Sequence, residues 1–124
     1  MRVYVDVSVI YYHLTDNPEF ADRATELLER HYGSMITSSL TIWQLYVLLR
    51  RLNKKRRFNL MEILPELGIR VVPLTPEILV EAERVEKLDF DDAVHYATMK
   101  NHGIRVILSN DRDFDRIEEI ERVF

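Results

Sequence analysis

The chain of 124 residues contains no cysteine, which excludes disulfide scaffolds, thiolate zinc sites and cysteine nucleophiles. Long apolar runs are also missing. The longest uncharged stretch, Tyr32 to Leu49, is interrupted by glycine, serine, threonine and glutamine, so no transmembrane helix is predicted. No signal-peptide pattern follows Met1, and we therefore expect a cytoplasmic protein. Because the net charge is −4, any binding of nucleic acid must depend on local clusters of basic residues.

Histidine is scarce as well, and its spacing does not indicate a metal site. None of the four histidines belongs to an HExxH motif or another close ligand spacing. We interpret each of them as a residue on the surface or at the end of a helix. They are His13, His31, His95 and His102.

Glycine is limited to three residues, and each separates a helical pattern from a short β-branched segment. A glycine that ends a helix just before a strand is typical of alternating α/β structure. The predicted strands cover residues 3–5, 35–37, 69–72 and 104–108, with a fifth possible at 122–124. Their nearly continuous apolar character indicates a parallel sheet covered on both faces. We predict a single α/β/α three-layer domain over residues 1–124, with four to five short strands in a central parallel sheet.

Several helix starts can be recognised from capping residues. Asn17 and Thr75 each precede a proline, which is favoured at the first position of a helix, and Asp89 can cap a later helix. The periodicity places Phe20 and Phe90 on the buried faces of two of these helices. A further helix is expected to open at Ser38 or Ser39, and Pro65 is expected to break or shorten the helix around residues 60–67.

Acidic residues follow two of the predicted strands. Asp6 comes after the first strand and Asp111 after the fourth, so both are expected at the carboxyl edge of the sheet, where ligands bind. Asp91 and Asp92 lie in the first turn of a predicted helix, where the helix dipole alone can explain an acid such as Asp91. Clustered carboxylates repel one another unless a cation lies between them. Oxygen ligands select hard ions, so the pattern predicts Mg²⁺ or Mn²⁺ and hydrolysis of a phosphate ester.

Three segments together resemble the acidic motifs of PIN-domain proteins: VYVDVSVIYYHL, LDFDDAVHYATMK and VILSNDRDFDRI, in this order across nearly the whole chain. The resemblance implies a Mg²⁺- or Mn²⁺-dependent ribonuclease that cleaves RNA, often the VapC-like toxin of a toxin-antitoxin pair. It also implies a cognate antitoxin and a homodimer. The implied catalytic residues are Asp6, Gln44, Asp92 and Asp111; the implied metal ligands are Asp6, Asp92, Asp111 and Asp113; the supporting hydroxyls are Ser8 and Ser109.

Gln44 departs from the pattern of that family, which usually has a glutamate in the context SSLTIWQLYVLL. An amide offers an oxygen but no charge, so a site that loses this acid should bind its metal more weakly. Gln44 could act through a water molecule, or Asp91 could compensate. The alternative is a catalytically weakened PIN-fold protein that binds RNA or a protein partner, including an interaction subunit whose function lies in that partner.

A basic segment follows the helix that contains Gln44. One interpretation is a set of phosphate contacts that would allow an acidic protein to hold RNA. The other is a helix C-terminus complemented by cations and followed by a solvated loop. The segment consists of Arg50, Arg51, Lys54, Lys55, Arg56 and Arg57.

Aromatic side chains near the predicted site also allow two interpretations. They could stack on RNA bases or contact a partner, or they could pack within the core or a dimer. Their helical spacing beside Ile10 and Ile42 favours packing. The residues concerned are Tyr11, Tyr12, Trp43 and Tyr46.

Overall fold

Five parallel strands form the sheet in the computed structural model, which describes residues 1–55 and 57–124. Their order in the sheet is β3-β2-β1-β4-β5. This confirms the predicted central parallel sheet, including the fifth strand at the end of the chain. The strands are β1 Val3–Val5, β2 Met35–Ser38, β3 Ile69–Val72, β4 Val106–Leu108 and β5 Glu121–Val123.

Helices connect the strands and cover both faces of the sheet. They are α1 Val7–Leu14, α2 Ala21–Arg30, α3 Ser39–Leu52, α4 Leu60–Glu66, α5 Pro76–Glu83 and α6 Phe90–Asn101, with a 3₁₀ turn at Arg112–Arg116. Within the residues that the structure describes, no helix combines the length and the apolar character needed to cross a membrane.

The two faces of the sheet bury two separate clusters. Successive side chains of a strand point to opposite faces, so Tyr4 enters one cluster while Val3 and Val5 enter the other. The first cluster packs the sheet against α5 and α6, and the second packs it against α1 to α4. The α/β/α three-layer architecture is therefore confirmed.

The helix starts agree with the capping residues in most places. The Ser38 hydroxyl accepts a hydrogen bond from the Leu40 backbone N–H at 3.0 Å, and the Thr75 hydroxyl caps α5. The Asn17 side chain accepts from two backbone N–H groups, but it closes a turn, and α2 begins only at Ala21. Asp89 is the N-cap residue of α6, but its side chain makes no capping hydrogen bond.

Three details of the sequence interpretation were wrong. Phe90 is 52% exposed rather than buried, because the first turn of α6 extends beyond the core. Phe20 is only half-buried and packs on Tyr12, with ring centroids 4.9 Å apart. Strand β4 begins at Val106, because the backbone N–H of Ile104 still bonds to the Met99 carbonyl as the chain leaves α6.

Candidate metal centre

The strand order reverses beside β1, which gives the sheet a topological switch point. From β1 the chain moves to β2 and β3 on one side, and β4 and β5 are then added on the other side. In open parallel sheets, ligands bind outside the carboxyl ends of the strands at such a point. Asp6 directly follows β1, and Ser109 directly follows β4. Both residues therefore lie where the topology predicts a site.

Asp6 is held firmly at this position. It is only 4% exposed and caps α1, where its Oδ1 accepts the backbone N–H of Val7 at 2.8 Å. Its Oδ2 accepts the Ser109 hydroxyl at 2.6 Å, and its own backbone N–H donates to the Leu108 carbonyl. The carboxylate thus has a fixed orientation, while each oxygen keeps a lone pair for a further partner.

The loop after β4 positions two more carboxylates. The Ser109 hydroxyl oxygen accepts the Asp111 backbone N–H at 2.9 Å, and Asp111 Oδ1 accepts the Asp113 backbone N–H at 2.9 Å. The Ser8 hydroxyl accepts the backbone N–H of Asn110 at 3.3 Å. Ser109 therefore contacts a carboxylate directly, whereas Ser8 supports the loop that carries Asp111.

Asp92 of α6 completes a compact acidic group with this loop. Ligand oxygens of Asp92, Asp111 and Asp113 all lie within 4.8 Å of one another, and Asp6 is close to this triad but not part of it. Burial raises the pKa of Asp92 to about 8, and neighbouring negative charges contribute to this rise. These charges belong, in decreasing order of effect, to Asp111, Asp91, Asp6 and Asp113.

The donor set fits a hard divalent cation. The oxygens of Asp92, Asp111 and Asp113 are close enough to share one ion, and all are carboxylate oxygens, the ligands preferred by Mg²⁺ and Mn²⁺. The raised pKa of Asp92 expresses, besides its burial, the mutual repulsion that a bound cation would relieve. The structure therefore brings together the four aspartates that the sequence indicated, with three of them close enough to share one ion.

Gln44 lies beside the acidic group, but its amide oxygen is already engaged. Its Oε1 is 2.9 Å from His95 Nε2, and the same nitrogen is 3.9 Å from Asp6 Oδ1. The other ring nitrogen of His95, Nδ1, is hydrogen-bonded to the hydroxyl of Tyr4. Gln44 is thus placed next to the site through a contact with histidine.

The interpretation of His95 as a helix-surface or helix-end residue was wrong. Its side chain is fully buried, and burial lowers its pKa, although the negative charge of Asp6 partly opposes this effect. The sequence did contain a signal. His95 is three residues after Asp92 on a helix, so these two share a face, and Tyr4 is two residues before Asp6 in an extended segment, where alternate side chains point the same way.

The other histidines agree better with their interpretation. His13 is in the last turn of α1 and contacts the Thr25 hydroxyl at 2.8 Å. His31 and His102 follow the last residues of α2 and α6 as their C-caps.

The basic segment lies at the end of α3 that is remote from the acidic group. Arg50 and Arg51 occupy the last turn of this helix, and Lys54, Lys55 and Arg57 follow it with exposed side chains. Arg56 belongs to the same predicted RNA-binding group but lies outside the described residues. At a rise of 1.5 Å per residue, Arg50 is about 9 Å from Gln44 along the helix axis. The segment therefore flanks the site without forming part of it.

Three of the four aromatic residues pack against the protein. Tyr11, Tyr12 and Tyr46 adjoin the buried cluster on their face of the sheet, and the Tyr12 hydroxyl accepts a hydrogen bond from Asn110 at 3.2 Å. Trp43, the neighbour of Gln44, is instead 66% exposed. Packing therefore explains the positions of the three tyrosines, but it does not explain why Trp43 is exposed.

The order of the strands and the acids at the switch point define a class of α/β protein. Comparison with known proteins identifies this class. The family model of the PIN domain matches residues 3–120, and the chain belongs to the PIN-domain family.

Particular relatives are similar over most of their length. The chain is 30% identical over 123 residues to Ribonuclease VapC1 from Aquifex aeolicus (strain VF5), covering 91% of this chain and 83% of that protein. The structure is similar to that of VapC20 of Mycobacterium tuberculosis, a Sarcin-Ricin loop cleaving toxin, with a TM-score of 0.76, 22% identity and coverage of 92% and 93% of the two chains. VapBC2 from Rickettsia felis, bound to a DNA fragment from its promoter, gives a TM-score of 0.71 at 14% identity, with coverage of 99% and 98%.

Proposed function

We propose that this protein is a metal-dependent endoribonuclease that hydrolyses phosphodiester bonds of RNA and serves as the toxin of a toxin-antitoxin pair. The observation that carries the proposal is the triad of Asp92, Asp111 and Asp113 at the switch point of the sheet. The ribonuclease name of the Aquifex aeolicus relative supports RNA as the substrate. The VapBC2 pair among the similar structures supports an antitoxin partner.

The residues have separable roles in this proposal. Asp92, Asp111 and Asp113 would hold Mg²⁺ or Mn²⁺, with Asp6 as a further ligand or as the acid that faces the attacking water. The chemistry that such an ion supplies is polarisation of the phosphodiester and a lower pKa of bound water. Asp6 would orient the attacking water and accept its proton, because Val7 and Ser109 fix its carboxylate. Ser109 also holds the loop that carries Asp111.

RNA would extend from the acidic edge along α3. Exposed Trp43 adjoins Gln44 on this helix, and the exposed cations of the basic segment lie in the last turn of the helix and in the chain that follows it. Cations at this distance can contact phosphates several nucleotides away from the bond that is cleaved. We also propose a homodimer and a cytoplasmic location, as expected from the family resemblance.

The test is cleavage of a panel of structured RNAs in the presence of Mn²⁺ or Mg²⁺. We expect cleavage by the wild type, none with EDTA, and a decrease of at least about a hundredfold in Asp6→Asn. Asp22→Asn, on the exposed first turn of α2, is the matched control. Cleavage by Asp6→Asn at the wild-type rate would contradict the assigned site.

The second candidate function is binding of RNA or a protein partner without cleavage. It is favoured by Gln44, whose neutral amide replaces the charge of the usual acid and already accepts a hydrogen bond from His95. Under this alternative the wild type binds RNA with a strong dependence on salt but does not cut it with either metal. Gain of cleavage in Gln44→Glu would identify the missing charge as the cause.

A further inference from the structure

Three polar side chains form a hydrogen-bonded chain beneath the acidic group. Tyr4 of β1 contacts His95 Nδ1 of α6, and His95 Nε2 contacts Gln44 Oε1 of α3 at 2.9 Å. Tyr4 and His95 are both fully buried, and Gln44 is half-buried at the edge of the site. One strand and two helices from opposite layers therefore meet through a single imidazole ring. The motifs of the family resemblance assign no role to His95.

The available donors and acceptors fix the direction of both hydrogen bonds in this Tyr4–His95–Gln44 network. An amide oxygen can only accept a hydrogen bond, so His95 Nε2 must donate to Gln44, and Nδ1 must accept from the Tyr4 hydroxyl. The surroundings of Tyr4 agree with this direction. The two threonine hydroxyls near the phenol have partners of their own, because Thr37 donates to the Val5 carbonyl at 2.7 Å and lies 2.8 Å from the Thr41 hydroxyl. The phenol proton is thus left for His95.

We propose that His95 is a positioning residue that fixes the Gln44 carboxamide so that Gln44 acts as a hydrogen-bond donor in the site and not as a metal ligand. The Nε2–H group of His95 occupies the amide oxygen, which leaves the NH₂ group, a donor of two hydrogen bonds, for an acceptor in the site. This inference rests on the proposed ribonuclease function, in which the acceptor is an oxygen of the RNA phosphate.

Electrostatics favours a donor at this position. Five carboxylates already lie in or beside the site, so a further partly negative oxygen would add to their repulsion, whereas an NH₂ group is attracted to them and to a phosphate. A cation on the second lone pair of Gln44 Oε1 would also lie near the positive end of the His95 N–H bond. The usual glutamate cannot donate in this way. The orientation of the Gln44 amide therefore depends on its hydrogen bond to His95, and a change at either residue should remove this bond.

The first test concerns the metal-free protein and requires no activity. In protein with ¹⁵N-labelled histidine at a fixed alkaline pH, we expect the His95 ring to carry its proton on Nε2 and to have an unprotonated Nδ1. Absence of the signal in a Tyr4→Phe/His95→Leu variant assigns it. Tyr4→Phe accompanies the histidine change so that no phenol is left buried without a partner. A ring protonated on Nδ1 would reverse the direction of the chain and overturn the proposal.

The second test asks whether Gln44 ligates the metal. In calorimetric titration with Mn²⁺, we expect Gln44→Ala to bind within about twofold of wild type, whereas removal of a true ligand should weaken binding by more than the roughly 10–100-fold that loss of a supporting partner costs. Asp111→Asn, which changes a member of the triad, provides the positive control. A loss of affinity in Gln44→Ala as large as that in Asp111→Asn would show that Gln44 is a ligand and would overturn the proposal.

The third test separates positioning from general structural support. At saturating Mn²⁺, Gln44→Ala and Tyr4→Phe/His95→Leu should each lower kcat about tenfold, and combining all three changes should add little, because a single interaction can be removed only once. His13→Leu, which removes another histidine that has a hydroxyl partner, is the control for folding. Independent, multiplying decreases would mean that His95 does not act through Gln44.

Failure of this inference can be distinguished from failure of the proposed function. If the wild type cleaves no RNA with either metal, the ribonuclease proposal fails. The His95 tautomer and the Mn²⁺ affinity of Gln44→Ala are then measured as before, and they decide whether the amide is held as a donor.

Discussion

The Ser109 hydroxyl donates a hydrogen bond of 2.6 Å to Asp6 Oδ2 across 103 positions of the chain. Because the Ser109 oxygen also accepts the Asp111 backbone N–H, this one side chain joins the acid after β1 to the acid after β4. The contact exists only because these strands are neighbours at the switch point of the sheet.

Ser109→Ala should therefore remove the hydrogen bonds that hold Asp6 and Asp111 in position. We predict a decrease of about 1.5–3 kcal/mol in the free energy of unfolding, as is typical for a hydrogen bond to a charged group, together with weaker binding of Mn²⁺. Urea denaturation and calorimetry measure the two effects. Ser34→Ala is the control, because Ser34 directly precedes β2 at the amino ends of the strands. This change should alter neither the stability nor the binding of Mn²⁺. A fully stable Ser109→Ala variant would show that the contact is unimportant for stability.

Asp92 should make a contribution to the stability of the metal-free protein that falls as the pH rises from about 4 to about 8. The pKa of Asp92 is raised to about 8 by burial and neighbouring carboxylates, so over this range the folded state binds more protons than the unfolded state. This contribution then decreases with pH until Asp92 is ionised in both states, whereas the lowered pKa of buried His95 contributes in the opposite direction below about pH 6.5. Thermal unfolding in EDTA of wild type and Asp92→Asn isolates this contribution, and the Tm of Asp92→Asn relative to wild type should rise between pH 4 and pH 8. A steeper fall in Asp92→Asn would contradict the origin of the effect.

Mn²⁺ should stabilise the folded protein, because the triad exists only in the fold. At a concentration a hundredfold above Kd, binding to one site stabilises by about 2.7 kcal/mol. We predict that Asp111→Asn reduces the rise in Tm caused by Mn²⁺, whereas Asp22→Asn, which lies outside the triad, keeps it. Thermal scans with and without the ion provide the measurement. An equal shift in both variants would place the ion elsewhere.

The basic segment should contribute to RNA affinity through counterion release. Removing both Arg50 and Arg51 should weaken binding at low salt and reduce the slope of log affinity against log salt by about 0.7 for each phosphate of a single strand that these arginines neutralise. Arg84→Ala removes an exposed arginine on another face and is the matched control. Fluorescence anisotropy over a salt series measures this slope. An unchanged slope would favour the interpretation as a solvated helix end.

Gly68 should be the most sensitive of the glycines that end helices. It has a φ of +78°, and a Cβ atom there would lie 2.6 Å from the backbone nitrogen of Gly33. Gly103 has a φ of +66° but has open space around it. Gly103→Ala should therefore cost about 1–2 kcal/mol of strain alone, whereas Gly68→Ala should cost more because backbone must also move. Urea denaturation compares the two, and equal destabilisation would contradict this steric argument.

Much of the fold could be predicted because its signals are local. The strand at residues 69–72 needed only a glycine followed by a β-branched run, and the start of α5 needed only Thr75 and a proline. Phe90 shows where periodicity was insufficient. Its spacing fits the buried face of α6, but its exposure depends on how far the neighbouring elements extend.

The candidate site was predictable in part for a related reason. Asp6 and Asp111 follow strands, so the parallel arrangement alone brings them to one edge. The roles within that edge were not predictable. Spacing does not reveal that Asp6 lies outside the triad, nor that Ser8 bonds to loop backbone while Ser109 bonds to a carboxylate.

The sequence by itself determined the alternation of strands and helices, the absence of sulfur ligands from cysteine and the acids available for a metal, since all of these follow from residue type and local spacing. Only the tertiary structure decided the partners of His95. A strand and two helices must pack before Tyr4 and Gln44 reach its two ring nitrogens, and contacts between residues so far apart in the chain leave no periodicity to read. The fold thereby gives Gln44 a partner that its position in a motif did not indicate.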